Sequence, residues 1–274
     1  AASLGRIAHT LHLGREAFSG HRLAVVAATH GEAIEALRVA GLRAAEHVRP
    51  PAAVFVFHGG EGSCLRIGEG VYESEPTYRQ HVDRLCEALL PLLGFDLRRS
   101  LSISEEAAAR ESDGGRLVAP FALFVTQLAL GCTLVDLGVR PVALASCDGA
   151  IAELAAATMA GVLCEGDALD LVCAHANAVP EARFLELLSP VVLKEPAGPM
   201  CCAGTWIDDA TATSRAHWAT ARTASPVSLA DTLDALASKA PAVLVEVGPS
   251  GARLCADCGA QLRTVQTLRE ENAT

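Results

Sequence analysis

The chain has 274 residues, 51% of them hydrophobic and 20% charged, with a formal net charge of −10. That length holds one large or two small domains, and the apolar fraction excludes disorder as a global description. Acidic residues outnumber basic ones 32 to 22 and aromatics are only 4%, which argues against a nucleic-acid surface, an anionic-membrane surface or a base-stacking platform. The 10 cysteines fall mostly inside apolar runs, such as Leu163-Cys164 and Val172-Cys173, so they read as reduced thiols and not as a disulfide framework.

Residues 1–20 lack a secretory signal pattern, because Arg6, Arg15 and Glu16 interrupt them. The chain starts mid-pattern without Met, which predicts a piece of a longer cytoplasmic polypeptide. Leu23–Ala27 predicts a short strand and Gly31–Val39 a helix. Arg49-Pro50-Pro51 punctuates, and Ala53–Phe57 predicts a strand closing in the turn His58-Gly59-Gly60-Glu61-Gly62-Ser63. Tyr78, Val82, Leu85, Leu89 and Leu92 recur at helical spacing and predict a helix over Val71–Leu93.

Ser100–Arg116 reads as a loop or a solvated helix. Val118–Leu137 is the most apolar stretch, but Pro120, Gln127 and Asp136 mark it as a buried core helix and not a membrane span. Val142–Ser146 predicts a strand, followed by helices over Gly149–Met159 and Gly166–Ala178. Pro180–Pro199 is irregular, Val227–Ser238 helical, and Ala242–Val247 a last strand. No internal repeat appears. Alternating strands and helices predict an α/β fold with a mostly parallel sheet.

One segment points to chemistry. Val142–Ser146 runs through Cys147-Asp148 into Gly149 and a helix, with small residues at Ala145 and Gly149. This is the layout of a nucleophile elbow, in which the central residue sits on a strained strand-to-helix turn. Cys147 is the candidate nucleophile, with the helix N-terminus behind it favouring a thiolate and an oxyanion. The alternative is a buried, inert Cys in a strand-to-helix loop.

Several blocks now converge. Ile7–Phe18 with His21–Val26, Phe55–Ser63, the elbow at Cys147, Ala160-Gly161-Val162-Leu163 with Asp167-Ala168-Leu169, Gly204-Thr205-Trp206-Ile207, His217-Trp218 and Glu246-Val247-Gly248-Pro249 occur in this order. Together they resemble the acyltransferase domain of modular polyketide synthases, preceded by part of the ketosynthase–acyltransferase linker. The resemblance implies a partial linker over residues 1–48, a small α/β piece, and an acyltransferase-like domain over 49–268. It implies the large, α/β-hydrolase-like subdomain without the small ferredoxin-like one. Expected partners are an acyl carrier protein and neighbouring synthase domains.

The departures from the family pattern decide the function. The resemblance places Cys147 at the serine position, Ser146 at the preceding histidine, Asp148 just after, Glu61 at the first-turn glutamine and His175 at the carboxylate-clamping arginine. The histidine motif that supplies the family's base is missing. Ordinary malonyl transfer is therefore not expected, since a neutral His175 cannot clamp a carboxylate bidentately.

Two readings stay open. In one, Cys147 acts on a carrier-bound intermediate by thioester exchange or carbon–sulfur chemistry, with His175 as base and Glu61, Asp148, His58 and Ser146 at the mouth or oxyanion site. Asp148 weighs against this, because a neighbouring carboxylate raises a thiol pKa and repels an oxyanion. In the other, the domain is an inactive remnant with a structural or docking role. Cys255-Ala256-Asp257-Cys258 with Cys201-Cys202 offers four thiolates in principle, but adjacent cysteines are poorly spaced ligands. No motif requires a metal or an organic cofactor.

Overall fold

The computed structural model describes residues 2–14, 23–41, 52–59, 69–101, 115–221, 229–237, 242–249 and 263–268. The chain forms two compact units, Ala1–Pro51 and Ala52–Thr274.

The first unit contains α1 (Leu4–Leu13) and α2 (His30–Gly41). Ser3 caps α1, its hydroxyl accepting from the Arg6 N–H. Thr29 and Glu32 form a capping box on α2: Thr29 Oγ1 accepts from Glu32 N–H, and Glu32 Oε2 accepts from the Thr29 and Ala28 N–H groups. These backbone donors hold the Glu32 carboxyl below its usual range. The expected strand at 23–27 is corrected, because this segment has no regular structure. Val26 and Leu23 are exposed there, and no strand of the described residues pairs with the segment.

The second unit is built on one six-stranded sheet with strands β1 (Ala52–His58), β2 (Pro141–Cys147), β3 (Met200–Cys202), β4 (Thr205–Ile207), β5 (Ala242–Pro249) and β6 (Arg263–Leu268). Their spatial order is β4-β3-β2-β1-β5-β6, and every neighbouring pair is parallel except the β3–β4 hairpin. Both faces of β1 and β2 are covered, so their sequences read as continuous apolar runs.

Strand alternation sorts the core into two layers. Phe55, Phe57 and Leu144 pack with α4 (Pro76–Leu93), α6 (Gly115–Asp136), α7 (Ala150–Met159) and α8 (Glu165–Ala176) in the larger cluster. Val54, Val56, Ala143, Ala145, Cys147, Cys201 and Leu244 face the other way and pack with Leu236 of α12 (Leu229–Ala237).

The helix expected over 71–93 is two helices, α3 (Glu69–Ser74) and α4. Pro76 at the first turn of α4, with Glu75 accepting from the Thr77 N–H, starts a new helix there. α6 is long and apolar enough to cross a membrane, but Phe121, Phe124 and Leu128 are buried in the larger core cluster. The irregular stretch 180–199 contains α9 (Glu181–Leu188), anchored by buried Phe184 and Leu188. The remaining helices are α5 (Leu97–Leu101), α10 (Asp209–Ala212) and α11 (Arg215–Ala221).

Candidate functional site

Ligand sites in parallel α/β sheets form at the carboxyl ends of strands. Here β1 and β2 end side by side, with His58 the register partner of Cys147. The Gly59 N–H donates to the Cys147 carbonyl at 3.0 Å, and Gln127 Nε2 donates to the His58 carbonyl at 2.8 Å. The two turns therefore touch through their backbones.

Asp148 follows Cys147 with φ 58°, a left-handed conformation that a non-glycine residue rarely takes. Gly149 then caps α7, with no side-chain hydrogen bond to the helix. The strained apex of the strand-to-helix turn is thus Asp148, one residue beyond Cys147. Cys147 is still strand and is 2% exposed. Its thiol points back to the Phe57 carbonyl, with Sγ 3.7 Å from that oxygen. Burial pushes the Cys147 thiol well above the ordinary thiol range, and the charges of Asp148 and Glu246 push it the same way.

The other predicted residues scatter. Ser146 is 1% exposed and belongs to the opposite face of the sheet, in register with Cys202 on β3. His175 lies in the last turn of α8, which packs in the helical layer opposite the Cys147 side chain. Glu61 lies outside the described residues, as do Cys255 and Cys258. Among the described residues of the expected constellation, His58, Cys147 and Asp148 meet at one strand end.

His58 has a partner that sequence reasoning missed. Its Nε2 lies 2.7 Å from Oε1 of Glu246, which is fully buried on β5. The signal was a carboxylate inside the apolar run Ala242–Val247. Glu246 is in register with Val56, so it shares the sheet face of Cys147. The strand ends thus carry a buried His–Glu pair, a neutral thiol and a carboxylate at the apex. They do not present an accessible thiolate.

Comparison with known proteins agrees with this architecture. A family described as "RhiE-like, KS-MAT linker domain" matches residues 1–41. Orsellinic acid synthase of Emericella nidulans is 33% identical over 181 residues, 65% of this chain and 8% of that protein. The mycocerosic acid synthase-like polyketide synthase of Mycobacterium tuberculosis is 32% identical over 56% of this chain and 7% of its own length. The chain thus spans less than a tenth of either relative. Among solved structures, the acyl transferase domain of SpnD, in complex with 2-(pent-4-yn-1-yl)malonyl, superposes with TM-score 0.79 at 27% identity, covering all of this chain and 84% of that one. The acyl transferase domain of ZmaA superposes with TM-score 0.83 at 20% identity, covering 99% of this chain and 83% of that one. With a linker match at the N-terminus and acyltransferase domains among its structural neighbours, the chain is similar to the acyltransferase domains of polyketide synthases together with the ketosynthase–acyltransferase linker that precedes them.

Proposed function

We propose that this domain has left acyl transfer and serves its synthase as a structural and docking domain for neighbouring domains and carrier protein. One observation carries the reading: the strained elbow apex bears the Asp148 carboxylate, while the adjacent Cys147 thiol is buried and held protonated. A thioester carbonyl needs a thiolate or activated hydroxyl to attack it and positive potential to hold the oxyanion. At this turn the thiol is neutral and the nearest charge is negative. The route through Cys147, by thioester exchange or carbon–sulfur chemistry, lacks both requirements.

The partner assignment rests on the linker match and on relatives that are synthases many times longer than this chain. A malonyl-transacylase solved in complex with a holo acyl-carrier protein has the same fold, with TM-score 0.66 over 80% of this chain, and adds the carrier protein as a candidate.

Intact-protein mass spectrometry tests the reading. The chain is incubated with malonyl, methylmalonyl and longer acyl thioesters of coenzyme A and of holo carrier protein. We expect no covalent adduct. An adduct that disappears in Cys147→Ala restores the cysteine route, and one that disappears in Asp148→Asn makes the apex carboxylate the nucleophile. Either outcome overturns the proposal.

A further inference from the structure

On the sheet face away from Cys147, three side chains converge from three elements that are distant in sequence. Glu153 comes from the first turn of α7, Cys202 from the end of β3 and His217 from α11. One ligand atom from each lies within 4.8 Å of the others. We infer that Glu153, Cys202 and His217 form a binding site for one divalent cation of the zinc class.

The donor chemistry selects that class. A thiolate, an imidazole and a carboxylate are the ligand types of zinc and cobalt, whereas magnesium and calcium take oxygen alone. Bond lengths of about 2.0–2.3 Å to such ligands place neighbouring donors roughly 3.3–3.6 Å apart around a tetrahedral ion. The three donor atoms lie within 4.8 Å of one another, so the side chains must adjust to reach that spacing when an ion binds. Glu153 Oε1 and His217 Nε2 approach to 2.9 Å, yet both atoms are buried and neither makes a well-directed hydrogen bond. The two atoms are close enough for an ion pair, and a cation bound there would replace that one contact with a metal bond to each.

Charge and support fit as well. A cation of charge +2 is balanced by the Glu153 carboxylate and the Cys202 thiolate, with His217 neutral; the thiol proton leaves to solvent as the metal–sulfur bond forms. Ser146 on the next strand is the register partner of Cys202. The His217 ring meets Trp218 edge-on at 4.9 Å, and Trp218 is fixed by donating to the Ala212 carbonyl at 2.8 Å. These contacts orient the ligands from outside, as ligand supports do at protein metal sites. Cys202 and Glu153 are buried and His217 is the most exposed of the three, so the fourth position opens on its side to water.

Cobalt titration of the full chain, stripped with chelator and dialysed, tests this. We expect about one equivalent of Co2+ to bind, with a thiolate-to-cobalt band in the near ultraviolet and tetrahedral d–d bands in the visible, both displaced by one equivalent of Zn2+. Cys202→Ser should remove the near-ultraviolet band while circular dichroism shows an intact fold. His217→Ala should weaken binding by about tenfold or more. The double variant Cys255→Ser, Cys258→Ser should bind as the parent does. The inference is overturned by binding below a tenth of an equivalent, by a thiolate band that survives Cys202→Ser, or by loss of binding in the double variant.

Discussion

The α-carbon of Gly59 lies against the Asp148 backbone so closely that a β-carbon there would stand 2.2 Å from the Asp148 carbonyl oxygen. That oxygen belongs to a backbone already strained at φ 58°, so it cannot retreat cheaply. Only glycine allows the β1 turn and the elbow to share this space. Gly59→Ala should therefore lower stability by about 2 kcal/mol or more. Urea unfolding reads this as a lower midpoint with an unchanged slope; a midpoint equal to the parent's would contradict the contact.

The buried His58–Glu246 contact should couple the two side chains strongly. Removing one partner leaves a carboxylate in the core without compensation, so His58→Ala should cost about 3–5 kcal/mol. Replacing both groups by apolar ones, His58→Phe with Glu246→Leu, should cost much less than the sum of the single changes. A double-mutant cycle by urea unfolding measures the coupling. Additive effects would mean the 2.7 Å contact contributes nothing.

Much of this fold was legible in the residues. The runs Ala53–Phe57, Val142–Ser146 and Ala242–Val247 are the three central strands, because strands covered on both faces must be apolar throughout. The strands outside this centre carry no such signal. Met200–Cys202 and Thr205–Ile207 have three residues each, and Arg263–Leu268, at the sheet margin, contains only two apolar residues, Val265 and Leu268.

The site was half legible. Spacing located the elbow but not its apex, since a one-residue shift is decided by φ at Asp148 and not by composition. Strand alternation then separates Ser146 from Cys147, though they are adjacent in sequence. Glu153, Cys202 and His217 are tens of residues apart, so only the packing of α7, β3 and α11 unites them.

Cysteine reactivity in the native state should follow burial. Cys164 is exposed at the start of α8, while Cys147 and Cys201 are enclosed between the sheet and α12. A brief pulse of N-ethylmaleimide at neutral pH, read site by site by peptide mass spectrometry, should label Cys164 on the order of a hundredfold faster than Cys147. Denaturant should abolish the difference. A native Cys147 rate close to that of Cys164 would show an accessible thiolate and would favour the cysteine route.

Alkaline pH offers a separate test of the buried thiols. Burial raises Cys86 to about 12, and Cys147 and Cys202 are raised as well. In the unfolded chain these thiols ionise near about 8.5. A folded-state pKa above the unfolded one gives stability that is fully present below about 8.5 and is lost as pH rises toward the folded value. Each such thiol should steepen the loss by about 1.4 kcal/mol per pH unit within that window. Cys86→Ala should lower stability at neutral pH through the lost contacts, yet flatten its decline between about pH 9 and 11 by that slope. Urea midpoints converted to free energies at each pH provide the measurement. A parallel decline in the parent and in Cys86→Ala would mean that Cys86 ionises as readily in the folded protein as in the unfolded chain, which its burial in the core forbids.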